Sequence, residues 1–302
     1  MITRVKNTAF TNNKSVGDFV NVGFSTQINV AKGQREKIRV RARTHYLEVG
    51  EGPPVLFLHG TAQSAYIFKH NYSAVAQKHR VIMPDLLGHG YSGCPDMDYT
   101  IEDNSLFLES FANALQLEKF SIVAYGQSAA YALDFCYYNK ERVNKMVVMN
   151  PGSFRNTAFT GARLLGSMLG GVVAKRYANR NFMKKAISKG FFDQTVLSEK
   201  DLTELSRPFE NPDVRFCNRL SVSNFDDHEL VERLYQIETP VLFIEGEDDV
   251  LSSEEGTAAY FDALPEVYVM KIRNCGTLSM FEKPEYVNRG ILEFLAYRGT
   301  QR

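Results

Sequence analysis

The sequence predicts an α/β fold: a mainly parallel sheet covered by helices and interrupted by one helical insertion. Short apolar runs recur with segments of helical period between them, the alternation expected of buried parallel strands. That alternation stops after Asn150-Pro151-Gly152 and resumes at Thr239-Pro240. The chain has 302 residues, of which 44% are hydrophobic and 23% charged, enough to bury the core such a fold requires.

Residues 1–36 read as an N-terminal extension, in which Met1 to Val30 interleave polar positions with isolated apolar ones. They lack the apolar core of about 7–15 residues that a secretory signal needs. Residues 37–48 alternate like a two-stranded antiparallel edge. The turn signal Gly50-Glu51-Gly52-Pro53-Pro54 then leads into the buried run Val55-Leu56-Phe57-Leu58. Further buried strands are expected at 80–84, 120–125, 145–149, 240–244 and 267–272, with helices at 64–77, 103–116, 128–139, 253–263 and 284–297. These boundaries divide the chain into a core, 37–151 and 237–302, and a helical cap, 152–236.

Thirty-five Lys plus Arg against thirty-five Asp plus Glu give zero net charge, so no global field favours nucleic acid or anionic lipid. The longest weakly polar stretch, Leu164 to Ala174, contains three glycines and falls short of the roughly 20 residues that cross a bilayer. Cys94, Cys136, Cys217 and Cys275 are far apart in sequence and show no C-x-x-C spacing, so we expect a reducing, cytoplasmic setting. No metal is expected, because no His, Cys and carboxylate set clusters. No organic cofactor is expected either. A P-loop is absent, and Gly88, Gly90 and Gly93 match G-x-G-x-x-G spacing with no helix directly after them. From Gly161 to Gly190 the insertion holds seven basic residues (Arg163, Lys175, Arg176, Arg180, Lys184, Lys185 and Lys189) and no acidic one. Such a cluster is either a solvated helix face or a docking patch for an anionic substrate or carrier.

Three loops at strand ends carry the chemical expectations. After the strand at 120–125 comes Gly126-Gln127-Ser128-Ala129-Ala130, with small residues two before and two after the serine, as a tight strand-to-helix turn demands. Such a turn would push the Ser128 hydroxyl outward; the alternative is a plain helix-capping serine. Leu58-His59-Gly60-Thr61-Ala62 follows a buried strand, and Gly60 lets the Thr61 N–H turn toward Ser128. Thr61 and Ala129 N–H groups would then form a two-donor oxyanion hole. The third loop, Met83-Pro84-Asp85-Leu86-Leu87-Gly88-His89-Gly90-Tyr91-Ser92, is Gly-rich and weak evidence alone.

In this order and spacing the three loops resemble the α/β-hydrolase superfamily, most closely its capped esterase, C–C-bond hydrolase and perhydrolase-like branch, over roughly residues 38–300. The resemblance implies a mainly parallel eight-stranded sheet flanked by helices with an inserted cap. It also places the family acid at Asp249 in Gly246-Glu247-Asp248-Asp249, with Asp248 as fallback. The family histidine should follow Gly276, ahead of Glu282-Lys283-Pro284, yet Thr277 stands there. A threonine hydroxyl cannot take a serine proton near neutral pH. His59, beside the oxyanion loop, is expected to be structural, and His228, at the end of the cap, is the alternative base.

Three functions follow from the resemblance. The first is an enzyme acting on a small or medium apolar ester, thioester or C–C bond through Ser128 and Asp249. The second is a non-hydrolytic elimination, decarboxylation, cyclisation or isomerisation on the same fold. The third is a degenerate hydrolase that binds a small molecule. In each the partner is a small carbonyl compound, with anionic or carrier-linked forms admitted, and neither nucleic acid nor membrane insertion is expected.

Overall fold

The computed structural model describes residues 17–151, 185, 187–250 and 254–297. Eight strands form one sheet: β1 (Asp18–Ala31), β2 (Gln34–Val49), β3 (Pro54–Leu58), β4 (Arg80–Pro84), β5 (Phe120–Tyr125), β6 (Val143–Met149), β7 (Val241–Gly246) and β8 (Val267–Ile272). Their spatial order is β1-β2-β4-β3-β5-β6-β7-β8. β1 and β2 pair antiparallel, β2 joins β4 antiparallel, and every pairing beyond β4 is parallel. The expected sheet is therefore present, with one correction at its edge. β1 lies inside the stretch read as an extension, and 37–48 belongs to a single strand rather than to two. Val20, Val22, Phe24, Thr26 and Ile28 alternate with polar neighbours, the period of a half-buried strand.

Helices lie between the strands: α1 (Tyr72–Val75), α2 (Ile101–Ala114), α3 (Ser128–Tyr138), α4 (Glu199–Ser206), α5 (Pro212–Ser223), α6 (His228–Val231), α7 (Glu254–Ala263), α8 (Ser279–Glu282) and α9 (Pro284–Ala296). α2 and α4 each open with a reciprocal capping box, Thr100 with Asp103 and Ser198 with Asp201, which satisfies two backbone donors at each helix start. The helix expected over 64–77 is instead a 3-10 turn, Ala65–Phe68, followed by α1. The break falls at Lys69–Asn71, where the Asn71 side chain turns away to donate to Asn288 at 2.8 Å.

Both sheet faces are covered, so alternate residues of a central strand enter two separate cores. Val55 and Phe57 pack with Phe68, Val123 and Ile291, while Leu56 and Leu58 pack with Phe107, Phe111 and Leu133. Burying each such side chain contributes about 1.5–3 kcal/mol. Among the described residues, those after Lys185 in the expected cap form helices and turns and no strand, and the segment rejoins the sheet at β7. Five of the seven basic residues, Arg163 through Lys184, lie outside the described residues. No described helix is long and apolar enough to cross a membrane.

Candidate functional site at the carboxyl end of the sheet

The loops after β3, β5, β6, β7 and β8 converge at one end of the sheet, because parallel strands deliver all their C-terminal ends to the same edge. Gly60 lies against the loop after β5: a Cβ on Gly126 would sit 3.6 Å from its Cα. Asp249, at the end of the β7 loop, accepts from the Asn150 amide at 2.9 Å and from the Thr277 hydroxyl. Asn150 is anchored in turn by the Ser279 hydroxyl at 3.2 Å. Loops after β6, β7 and β8 are thereby tied by one polar chain. Asp248 is exposed, with only its backbone engaged, so Asp249 is the carboxylate that faces Thr277.

The turn after β5 departs from expectation. Ser128 is the first residue of α3 and wholly buried. Its Oγ accepts from the Tyr125 N–H at 3.1 Å and directs its proton toward the carbonyls of Leu58, 2.8 Å away, and Tyr125, 2.9 Å away. The hydroxyl points into the turn rather than out of it. The residue with positive φ, at +63°, is Gly126, two positions earlier, and a Cβ there would meet nothing closer than 3.6 Å. The Ala129 N–H is also committed, to the Gly126 carbonyl at 3.1 Å, so it is unavailable as an oxyanion donor. The Gln127 N–H, at the same helix start, has no backbone partner among the described residues, and the buried Gln127 amide makes no hydrogen bond there.

All six histidines are described, and none meets Asp249. His59 accepts from the Leu86 N–H at Nε2, 3.0 Å, so its Nδ1 carries the proton and donates to the Gly60 carbonyl at 2.7 Å. Both of its ring nitrogens are thereby engaged by the backbone, and burial pushes its pKa down. His89 packs beside it with ring centroids 5.2 Å apart, and burial together with that neighbour pushes its pKa to about 3. His45 pairs with Asp85 at 2.8 Å beneath the Gly-rich loop. His70 and His228 are exposed, and the His79 ring hydrogen-bonds the Val75 carbonyl. His228 opens α6, where its backbone N–H donates to Asp226 at 3.0 Å, and its exposed side chain lies away from Asp249. Cys275 is buried, and burial with Glu282 nearby pushes its thiol to about 12, which leaves it inert beside Thr277.

Two site residues escaped the sequence reading. Tyr131, one turn along α3, hydrogen-bonds Ser221 of α5 at 2.9 Å, joining the two helices. Glu282 accepts from the N–H groups of Phe192, Asp193 and Gly276 at 3.2, 2.7 and 2.8 Å. Gly276 must be glycine, since a Cβ would lie 2.5 Å from the Gly190 carbonyl. Only the Glu282-x-Pro284 spacing hinted at the second of these contacts.

The sequence profile of the alpha/beta hydrolase fold matches residues 53–284. The chain belongs to the α/β-hydrolase family. Relatives with known activities include a 2-hydroxy-6-oxo-6-(2'-aminophenyl)hexa-2,4-dienoic acid hydrolase of Metapseudomonas resinovorans, 25% identical over 84% of this chain and 88% of that protein. A haloalkane dehalogenase of Agrobacterium fabrum is 32% identical over 107 residues, 35% of each chain. Among solved structures, the epoxide hydrolase CorEH superposes with a TM-score of 0.77 at 20% identity, covering 91% of this chain and 99% of that one. A meta-cleavage product hydrolase from Pseudomonas fluorescens IP01 gives 0.71 at 21% identity, covering 84% and 94%. At these identities the structural likeness speaks for the fold alone.

Proposed function

We propose that this α/β-hydrolase-family chain binds a small carbonyl compound non-covalently at the carboxyl end of its sheet and runs no serine acyl-transfer cycle. The inward, fully buried Ser128 hydroxyl carries this reading. A nucleophile of this fold projects from the strained residue at the apex of the turn, and the left-handed residue here is Gly126, which has no side chain. Thr277 at the histidine position supports the same conclusion, as does the placement of all six histidines away from Asp249. The residues outside the description contain no His, Asp or Glu, so none of them supplies an imidazole or carboxylate base.

A ligand carbonyl would take the Gln127 N–H, with the Thr61 N–H as the expected second donor and the buried Gln127 amide alongside. The basic, acid-free run from Gly161 to Gly190 favours an anionic ligand, a carboxylate or a phosphate-bearing carrier arm. One observation favours a second reading. Asp249 is still held at the site by Asn150 and Thr277, which suits a non-covalent elimination or isomerisation with the backbone donors stabilising an enolate.

Fluorophosphonate labelling followed by intact-mass measurement tests both readings, combined with thermal-shift binding of carboxylate-bearing esters, thioesters and β-diketones. We expect saturable shifts and no adduct. Ser128-dependent labelling would overturn the proposal. Unlabelled turnover that incorporates no solvent oxygen would select the second reading over simple binding.

A further inference from the structure

We infer that Gln127 recognises a carboxamide: the ligand's carbonyl belongs to a primary amide or a lactam, held by two parallel hydrogen bonds to the Gln127 side chain. The inference deepens the non-covalent reading above and rests on it. Gln127 opens α3 with helical backbone, φ −59° and ψ −28°, so it shares a face with the residues three or four positions on in each turn. That face carries Gln127, Tyr131, Asp134 and Tyr138. Tyr131 hydrogen-bonds Ser221 of α5 at 2.9 Å, and Arg233, just past α6, donates to Asp134 at 3.1 Å and to the Tyr138 hydroxyl at 2.7 Å. These three side chains thus have polar partners across from α3. Gln127, at the end of the stripe that reaches the site, has none among the described residues, although it is only 2% exposed and both Oε1 and Nε2 are out of solvent.

Buried amide atoms are almost always paired, so one with neither atom paired is left for a bound partner. Space for that partner lies beside it. Gly126 holds φ of +63°, and a Cβ there would meet only the Gly60 Cα within 4 Å, at 3.6 Å. The amide then selects the chemistry, because Nε2 donates, Oε1 accepts, and the two lie side by side in one plane. An ester, ketone or carboxylate brings acceptors only and leaves Oε1 unpaired. A single hydroxyl oxygen cannot lie in line with both atoms at once. A primary amide or a lactam carries its carbonyl and an N–H on the same edge, so its oxygen accepts from Nε2 while its nitrogen donates to Oε1. The second lone pair of that oxygen remains for the Gln127 backbone N–H. The negative charge favoured by the basic run from Gly161 to Gly190 then belongs elsewhere on the ligand.

The test titrates the full-length protein with benzamide, N,N-dimethylbenzamide, methyl benzoate and benzoate, read by thermal shift and calorimetry. The expected result is a saturable rise in Tm with benzamide, bound roughly tenfold to a hundredfold more tightly than the probes that lack an N–H. Gln127→Met should erase that preference and leave benzamide no better than methyl benzoate. Equal or tighter binding of methyl benzoate, N,N-dimethylbenzamide or benzoate by the wild type would overturn the inference. So would the absence of any shift with benzamide, or a preference for benzamide that survives in Gln127→Met. The non-covalent reading fails on a separate signal, Ser128-dependent labelling by the fluorophosphonate, so the two failures are told apart. The wild-type series needs no variant, so a poorly folded substitution leaves the test standing.

Discussion

The turns after β5 and β8 each bring a hydroxyl to the carboxyl end of the sheet, Ser128 and Thr277, and the two hydroxyls end in opposite environments. The Ser128 oxygen is folded back onto the carbonyls of Leu58 and Tyr125, while Thr277 donates to the Asp249 carboxylate. Each is a short polar group beside glycine, so composition does not separate them. What separates them is which residue takes the left-handed conformation. After β5 it is Gly126, two residues before the serine; after β8 it is Asn274, three before the threonine. A tight turn exposes the side chain at its apex and buries the one that starts the helix.

That contrast is broken most sharply by rebuilding the site. Gly126→Ser with Thr277→His places a hydroxyl at the apex and an imidazole opposite Asp249. Fluorophosphonate labelling should then rise by ~10³ or more over the wild type, with neither single change sufficient. The new serine must hold a left-handed φ, a cost of about 1–3 kcal/mol that a chemical melt would register.

A second contrast sets the changed turn against the loops that merely support it. Asp85 accepts from the N–H groups of Ala65 and Tyr91, each at 2.9 Å, and pairs with His45. Burial works against its charge, yet His45, His59 and the Ala65 N–H hold the carboxyl below its ordinary value. Asp85→Ala should cost about 3–5 kcal/mol in urea unfolding, because it strands a buried imidazole and two amides. The neutral imidazoles of His59 and His89 add a pH dependence. Their folded pKa values lie below the unfolded value of about 6.5, so the unfolded chain binds more protons as pH falls. Stability present above about 6.5 is lost on the way down toward those values, by up to ~1.4 kcal/mol per pH unit for each ring. His89→Gln should remove one ring's share of that slope between about pH 6 and 4.

The smallest effects sharpen the comparison between the two hydroxyls. Ser128→Ala should destabilise by about 1–3 kcal/mol, since it removes the acceptor of the Tyr125 N–H, and should leave ligand thermal shifts in place. Thr277→Val should cost about 1 kcal/mol and weaken the hold on Asp249, with Thr277→Ser restoring it. If Ser128→Ala instead abolished binding while stability held, the inward orientation would be wrong.

The strands were legible because each central one is a continuous apolar run between turn signals, as at Val55 to Leu58 and Phe120 to Tyr125. The turn Gly246-Glu247-Asp248-Asp249 and the spacing from Gly276 to Pro284 set Asp249 and Thr277 on neighbouring loops, and the structure brings the two side chains together. Ser128 misled because the spacing of small residues reports that a turn is tight without saying which residue forms its apex. β1 was missed because half its residues are exposed and its alternation is weak in hydrophobicity.

The Glu282 carboxylate makes one mechanical piece of two distant segments. Phe192 and Asp193, ahead of α4, and Gly276, next to Thr277, all donate to the same two oxygens. A displacement of residues 192–193 therefore reaches Gly276 and its neighbour Thr277 through shared bonds, and from Thr277 it reaches Asp249. Residues 192 and 193 and the polar chain at the sheet's end form a lever on a common pivot, in which the position of one sets the alignment of the other.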